Sequence, residues 1–176
     1  MNIPQNCKNC HLHEYRSKIV IGRGTVPADI LFMGEAPGLS EDSLGEAFIG
    51  KAGELLDIML SEALELSNIE VMPTYYITNT VLCRPCDKIG GENRPPTKEE
   101  VLACKDNVLE IITVVNASCN VLIGKTAEKY YSKLLANYFT IQHPAYLLRG
   151  GGVEHPYYKR NVRVLSEVLN QVKEGK

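Results

Sequence analysis

Six cysteines are the residues of this chain whose spacing most directly predicts chemistry. They form two C-x-x-C pairs and two single cysteines, in the order Cys7, Cys10, Cys83, Cys86, Cys104 and Cys119. Paired C-x-x-C units are typical of metal sites, and four thiolates suit either a zinc ion or an iron–sulfur cluster. Spacing alone does not separate these two metals. Cys104, on the apolar stripe of a helix, and Cys119, beside an apolar strand, also fit as ordinary core residues.

Three other side chains could take part in chemistry, although each also fits a structural role. His143 directly precedes Pro144 at the end of a predicted strand, where the chain must turn. Asn79 lies in an otherwise apolar or hydroxylated strand, so its amide either satisfies neighbouring backbone or binds the edge of a ligand. Phe48 lies in a glycine-flanked loop, where packing into the core is the default. Taken singly, these residues leave both interpretations open.

The elements that must position these residues alternate between strands and helices. Apolar and β-branched runs predict strands at residues 28–33, 75–82, 120–123 and 138–142. Helical spacing predicts helices at 52–64, from the capping box of Thr97 and Glu100 to about 115, from about 126, and from near 157. The glycine- and proline-punctuated segment at 34–50 is predicted to be a long irregular loop.

This alternation predicts an α/β fold, in which helices cover both faces of a mostly parallel sheet. Ligands of such sheets bind outside the carboxyl ends of the strands. Three polar segments, GEAPG, the region of Asn79 and QHPAY, lie near predicted strand ends. We therefore expect one site built from distant parts of the chain.

Length and composition limit the class of protein. A chain of 176 residues that is 44% hydrophobic predicts one domain over residues 1–176. Nothing near Met1 resembles a secretory signal, and no apolar run approaches the roughly 20 residues of a membrane-spanning helix. We therefore expect a soluble, cytoplasmic protein. Thiols stay reduced in that compartment, which favours metal binding over disulfides.

Charge is unevenly distributed along the chain. The net charge of −2 argues against a protein that coats nucleic acid without specificity. Residues 35–70 carry nine acids and one base, whereas the chain from His143 onward carries six bases and three acids. The carboxyl-terminal part could therefore meet phosphates, although ordinary surface scatter explains the same pattern equally well.

Several motifs together resemble one known family. They are CKNCHLHEYR, GEAPGLSEDSLGEAFIGKAGELLDIML, ITNTVLCRP, NRPPTKEEVLAC and QHPAYLLR, and they follow one another in the family's order from Cys7 to Arg149. In this combination the chain resembles the family 4 uracil-DNA glycosylases, the iron–sulfur branch of that superfamily. The resemblance implies a three-layer α/β/α fold with a central, mostly parallel, four-stranded sheet. It also implies a 4Fe–4S cluster held by Cys7, Cys10, Cys83 and Cys104.

The resemblance further implies a uracil pocket. Its residues would be Glu35, Ala36, Pro37, Glu41, Phe48, Asn79 and His143. Phe48 would stack on the base, Asn79 would bind its Watson–Crick edge, and Glu41 would exclude the methyl group of thymine. Leu147, Leu148 and Arg149 resemble the wedge that fills the vacated base stack and contacts the DNA backbone.

The implied reaction is hydrolysis of the N-glycosidic bond of deoxyuridine in single- or double-stranded DNA, which releases uracil and leaves an abasic site. A monomer is expected. His143 is the candidate donor to the uracil oxygen that becomes negative. Related enzymes with a GQDPY motif have a catalytic aspartate where this chain has Ala36, so Glu35, or a water that it holds, is the candidate activator of the attacking water.

Two alternatives belong to other classes of protein. The first is a catalytically silent DNA- or partner-binding module with the same fold and cluster; the presence of Glu35, Phe48, Asn79 and His143 argues against it. The second is a zinc-stabilised enzyme of unrelated activity, which would be colourless, whereas an iron–sulfur protein is coloured.

Overall fold

A five-stranded sheet forms the centre of the computed structural model, which describes residues 1–174. In chain order the strands are β1 (Arg23–Gly24), β2 (Ile30–Gly34), β3 (Tyr75–Asn79), β4 (Cys119–Ile123) and β5 (Tyr138–Ile141). Their order across the sheet is β1-β3-β2-β4-β5. Strands β2 to β5 are parallel, and only the two-residue β1 pairs antiparallel, with β3.

Helices cover both faces of this sheet. They are α1 (Leu39–Leu44), α2 (Lys51–Leu66), α3 (Lys98–Val115), α4 (Lys125–Tyr131), α5 (Pro144–Arg149) and α6 (Tyr158–Glu174). Two short 3-10 turns lie at His11–Glu14 and Gly152–Glu154. The Thr97–Glu100 capping box predicted from the sequence is present: the Thr97 hydroxyl accepts from the backbone N–H of Glu100, and the Glu100 carboxylate accepts from that of Thr97.

Side chains of the buried strands point alternately to two hydrophobic cores. Ile30 and Phe32 of β2 join the core that α2 and α6 cover. Leu31 and Met33 of the same strand join the core that α3 and α4 cover. Because β2 and β4 are buried on both faces, their sequences read as nearly continuous apolar runs and not as alternating ones. The three-layer α/β/α prediction is therefore confirmed.

Two details of the sequence prediction are wrong. The sheet has five strands where four were predicted, because β1 is too short to show a hydrophobic pattern and is defined only by its pairing with β3. Helix α1 lies within the segment predicted to be irregular. It forms because the Glu41 carboxylate accepts the otherwise unpaired backbone N–H of Gly38 at the helix start.

Other features of the fold bear on the expectations above. Within residues 1–174, no helix is both long enough and apolar enough to cross a membrane. The single domain predicted over residues 1–176 stays a prediction, and its last two residues lie outside the described part of the chain.

Candidate active site

A cavity of about 610 Å³ opens at the carboxyl ends of β2, β3 and β5. Its walls come from five stretches of chain: residues 35–41, 48–52, Asn79, 93–95 and 143–149. All the residues predicted for the uracil pocket line it, namely Glu35, Ala36, Pro37, Glu41, Phe48, Asn79 and His143. The sequence therefore predicted correctly that these distant segments converge. What each residue does there stays a prediction.

Asn79, the last residue of β3, is the buried polar group of this cavity. Its side chain is 1% exposed, and neither Nδ2 nor Oδ1 has a hydrogen-bond partner among the described residues. A buried polar group left unpaired costs roughly 1–3 kcal/mol. One donor and one acceptor are thus held side by side at a cavity wall, ready to pair with a ligand that offers the complementary groups.

Gly34 lies directly beside Asn79 in the sheet, at the carboxyl end of β2. A Cβ on residue 34 would lie 2.5 Å from Cζ of Phe48 and 2.7 Å from Oδ1 of Asn79. Any side chain here would therefore displace the ring or the amide. The sequence did not predict that residue 34 must lack a side chain, since only the packing of Phe48 and Asn79 reveals this requirement.

Phe48 is held in an unusual backbone conformation. Its φ of 54° lies in the left-handed region, which costs a non-glycine residue about 1–3 kcal/mol. Its carbonyl oxygen lies so close to α2 that a Cβ on Gly53 would approach to 1.7 Å. The ring is 6% exposed, and its centroid lies 5.8 Å from that of His143, at an interplanar angle of 28°. The loop and α2 together fix one aromatic wall of the cavity.

His143 caps the amino terminus of α5. Its Nδ1 accepts a hydrogen bond from the backbone N–H of Ala145 at 3.2 Å. A neutral imidazole with an accepting Nδ1 carries its proton on Nε2, which makes Nε2 a donor. Burial lowers the pKa of His143; the carboxylate of Glu35 opposes this effect and the charge of Arg149 adds to it. The histidine is therefore a neutral donor near pH 7.

Glu35 is anchored from two sides. Its backbone carbonyl accepts from the Thr80 hydroxyl at 2.6 Å, and its Oε2 accepts from the Thr126 hydroxyl. These contacts hold the start of the GEAPG segment against β3 and α4. The contact with Thr126 spans 91 residues, and no local sequence signal could have predicted it.

Glu41 braces the loop that carries Phe48. One carboxylate oxygen accepts from the backbone N–H groups of Ile49 at 3.1 Å and Gly50 at 2.8 Å. The other accepts from the N–H of Gly38 at 3.1 Å. Three backbone donors thus converge on one carboxylate at the cavity wall, and sequence reasoning did not foresee this bracing.

The three residues predicted to contact DNA differ in exposure. Leu148 is 40% exposed and Arg149 is exposed, whereas Leu147 is fully buried in the core under α2 and α6. Successive residues of a helix point about 100° apart, so α5 can present Leu148 only by turning Leu147 inward. Leu147 packs the core in this structure, and its predicted contact with DNA stays a prediction.

Two further residues line the rim of the cavity without having been predicted. Asn93 is held by buried Arg84, whose Nε donates to the Asn93 Oδ1 at 2.5 Å. Arg94 forms a bidentate pair with buried Glu100, with distances of 2.7 and 2.9 Å. Both belong to the NRPP motif, one of the motifs that resemble the family.

Four cysteines meet in a second, much smaller cavity of about 20 Å³. They are Cys7, Cys10, Cys83 and Cys104. N–H groups point at three of the sulfurs: Arg16 donates to Cys83 at 3.4 Å, Asn107 to Cys7 at 3.7 Å, and the Leu82 backbone to Cys104 at 3.4 Å. Hydrogen bonds of this kind stabilise thiolates that bind a metal.

The two remaining cysteines lie elsewhere. Cys86 is fully buried, with its Sγ beside the carbonyl of Arg84, and Cys119 packs in the core from β4.

Burial raises the pKa of the Cys83 thiol to about 11 and that of the Cys104 thiol to about 12. Within residues 1–174, no three His, Cys, Asp or Glu side chains stand close enough to hold a single metal ion.

One buried carboxylate connects the cysteine site to the cavity. Glu100, 1% exposed, contacts His11 at 3.0 Å, next to Cys10, and also holds Arg94 at the cavity rim. Burial alone would raise the pKa of Glu100, but the hydrogen bonds from Arg94 and Thr97 outweigh it and lower the pKa. The carboxylate stays charged and ties the amino-terminal segment to the rim.

Known proteins with the same sequence pattern define the class. The model of the uracil DNA glycosylase superfamily matches residues 21–167, which include the whole cavity. The chain therefore belongs to the uracil-DNA glycosylase superfamily.

Within the superfamily it belongs with the type-4 uracil-DNA glycosylases. The relative from Saccharolobus solfataricus is 34% identical over 190 aligned positions, covering 97% of this chain and 82% of the relative. The relatives from Sulfurisphaera tokodaii and Archaeoglobus fulgidus are each 38% identical over 77% of this chain. All three are named type-4 uracil-DNA glycosylases. The chain spans only 58% and 63% of the length of the last two.

Proposed function

We propose that this protein removes uracil from DNA by hydrolysing the N-glycosidic bond of deoxyuridine. The observation that carries the proposal is the amide of Asn79, buried at a cavity wall with both polar atoms unpaired. An unpaired amide beside an aromatic ring fits a flat, polar base. The names of the relatives supply the class of base.

Asn79 selects uracil by complementarity. Its Nδ2 donates to uracil O4, and its Oδ1 accepts from N3–H. Cytosine offers an amino donor and an N3 acceptor at the same two positions, so it would face donor with donor and acceptor with acceptor. A site built to hydrogen-bond its substrate strongly rejects an analogue with the wrong polar groups. Phe48 stacks on the base and offsets part of the stacking lost when the nucleotide leaves the helix.

His143 stabilises the charge that develops on uracil. When the glycosidic bond breaks, its electron pair moves onto the ring and places negative charge on O2. A donor aimed at O2 binds the transition state more tightly than the substrate. The neutral imidazole, with Nδ1 held by Ala145, supplies that donor from Nε2.

Glu35 is the candidate group for positioning the attacking water. The side chain of Ala36 has no polar atom, so the neighbouring carboxylate is the side-chain acceptor that the GEAPG segment offers. Thr126 occupies Oε2, which leaves Oε1 to hold a water facing the sugar carbon. The developing positive charge on the sugar is also favoured by a carboxylate nearby.

Glu41 has two roles in this proposal. Its contacts with Gly38, Ile49 and Gly50 keep the Phe48 loop at the correct height above the base. Its position at the cavity wall also supports the role implied by the resemblance, the exclusion of the thymine methyl group. A carboxylate fixed by three N–H donors cannot easily swing away to admit that methyl group.

DNA binding is assigned to the exposed part of α5. Leu148 fills the gap left by the extruded nucleotide, and Arg149, which lines the cavity, contacts the adjacent phosphate. The substrate is uracil-containing DNA, and the protein acts as a monomer.

Cys7, Cys10, Cys83 and Cys104 are proposed to hold a 4Fe–4S cluster. Support comes from their shared cavity and from the N–H groups directed at three of their sulfurs. When bound, the cluster supplies a covalent brace between the amino-terminal segment, the chain after β3, and α3. Because Glu100 links this region to Arg94, the brace also steadies the cavity rim.

The cysteine assignment predicts two classes of variant. Alanine at Cys7, Cys10, Cys83 or Cys104 should remove most of the bound iron and the visible absorption, because a ligand is lost. Alanine at Cys86 or Cys119 should leave both unchanged. Iron and sulfide analysis with visible spectroscopy checks this, and a colourless parent protein that contains zinc would support the zinc alternative instead.

The proposed activity is tested by uracil release from a labelled oligonucleotide containing one U·G pair, with matched T·G and C·G oligonucleotides. Release from the first alone is expected. No release by protein loaded with its cluster would overturn the proposal and favour the catalytically silent DNA- or partner-binding module.

A further inference from the structure

We propose that an aromatic and basic surface beside the cavity, formed by Tyr146, His155, Tyr157 and Arg160, binds single-stranded DNA that flanks the excised nucleotide. This inference rests on the proposed function and names the form of DNA that the site accepts. We call these four residues the aromatic surface.

The rings of the aromatic surface pack against one another, and the two tyrosine rings remain exposed to solvent. The His155 ring is 8% exposed and lies between two tyrosines, 4.9 Å from the ring of Tyr146 and 5.7 Å from that of Tyr157. The tyrosines themselves are 44% and 39% exposed. The guanidinium of Arg160 lies over the Tyr157 ring at 6.0 Å. An arginine above an exposed ring can stack on a base and pair with a phosphate at once.

The central ring of the aromatic surface, that of His155, is held in place by its contacts. His155 Nδ1 accepts from the backbone N–H of Tyr157 at 3.2 Å, which fixes the histidine ring. A Cβ on residue 150 would lie 2.4 Å from Cδ2 of the same ring, so the histidine fits only because residue 150 is glycine. Aromatic groups fixed before binding lose little conformational freedom when a ligand arrives.

The aromatic surface lies along the path that a bound DNA strand would follow. Tyr146 lies on α5, the helix that His143 caps, and one turn before Arg149 at the cavity wall. Side chains three positions apart on a helix are neighbours. A strand whose uracil enters the cavity would therefore run directly past the aromatic surface.

Charge favours nucleic acid as the occupant. Residues 143–166 contain four bases, Arg149, Lys159, Arg160 and Arg163, and one acid, Glu154. Three of these bases follow within the first two turns of α6, where there is no acid. Exposed aromatic rings stack on the faces of bases. These faces are accessible in a single strand, whereas in an intact duplex they are covered by the neighbouring base pairs. This combination favours single-stranded DNA over duplex DNA.

The experiment is fluorescence anisotropy with a labelled single strand that contains no uracil, together with its duplex. Tyr157→Leu and Tyr146→Leu should each weaken binding of the single strand roughly tenfold, as expected for one lost stacking contact. Tyr157→Phe keeps the ring and should bind like the parent protein. Arg160→Gln should weaken binding and lower the slope of log affinity against log salt by about 0.7, the value for one phosphate contact of a single strand.

Matched controls lie near the amino-terminal end of β5, whereas the cavity opens at its carboxyl end. Tyr138, 42% exposed at the start of β5, supplies the same phenol ring, and exposed Lys133 supplies a positive charge; neither lines the cavity. Tyr138→Leu and Lys133→Ala should leave the affinity unchanged. Thermal unfolding of each variant identifies any that fail to fold. If the leucine variants do not fold, the affinities of Tyr157→Phe and Arg160→Gln for the single strand test the proposal: the first should match the parent and the second should be weaker.

Each outcome has one meaning. Leucine variants that fold and bind the single strand like the parent would overturn the proposal, as would an equal loss of affinity for duplex and single strand. Because the oligonucleotide has no uracil, this result is independent of glycosylase activity. If the parent protein binds the single strand through Tyr157 but releases no uracil, the proposed DNA-binding surface stands and the proposed enzymatic activity is overturned.

Discussion

Asn79→Ala should lower kcat/KM for uracil release by roughly 30-fold to more than a thousandfold. The variant leaves two polar groups of the buried base unpaired, at about 1–3 kcal/mol each. The loss should appear in uracil release from the U·G oligonucleotide under conditions where substrate is well below KM. An activity within threefold of the parent would mean that Asn79 does not bind the base.

The same substitution should leave the folded protein as stable as before. The Asn79 side chain has no hydrogen-bond partner among the residues described, so alanine removes two unpaired polar atoms along with their packing. Asn120 is the matched control, because it is another buried strand asparagine, 5% exposed, but its Nδ2 donates to the carbonyl of Ala136 at 2.8 Å. Asn120→Ala should lower Tm by roughly 2–8 °C and keep activity. The two asparagines would thereby separate a functional amide from a structural one.

His143→Ala should lower kcat by about two to three orders of magnitude, the effect of removing one donor from a developing oxyanion. His143→Asn offers a sharper comparison. Asparagine is a good helix cap, so its oxygen can still accept from Ala145 while its amide nitrogen can donate to the base. We expect partial recovery of kcat in the asparagine variant, because it restores a donor without restoring the imidazole.

The pH dependence of kcat follows from the state of His143. Burial lowers the pKa of the imidazole below its ordinary value of about 6.5, so it is neutral and active above that pKa and becomes protonated as the pH falls through it. Protonation turns Nδ1 into a donor and breaks its bond with the Ala145 N–H. The parent should therefore lose activity on an acid limb centred below about pH 6.5. His143→Asn should lack this limb; if it keeps the limb, the limb arises from another group.

The elements with strong hydrophobic periodicity could be predicted from sequence. Each predicted strand overlaps an observed one, and α3 begins at its predicted capping box, because local geometry dictates these patterns. The α/β alternation then placed three polar segments at one edge of the sheet. The uracil-pocket residues and the four cysteines were gathered as the sequence resemblance implied. Strand β1 and helix α1 escaped prediction because each depends on a single pairing or a single carboxylate.

The sequence by itself thus determined the layers of the fold and the segments that meet at the cavity, since both follow from periodicity and from where parallel strands end. Only the tertiary structure decided what each side chain contacts there. It left the Asn79 amide unpaired, engaged Glu41 with three N–H groups, and buried Leu147. These outcomes depend on contacts between residues far apart in the chain and on the rotation of a short helix. Local sequence patterns carry no information about either.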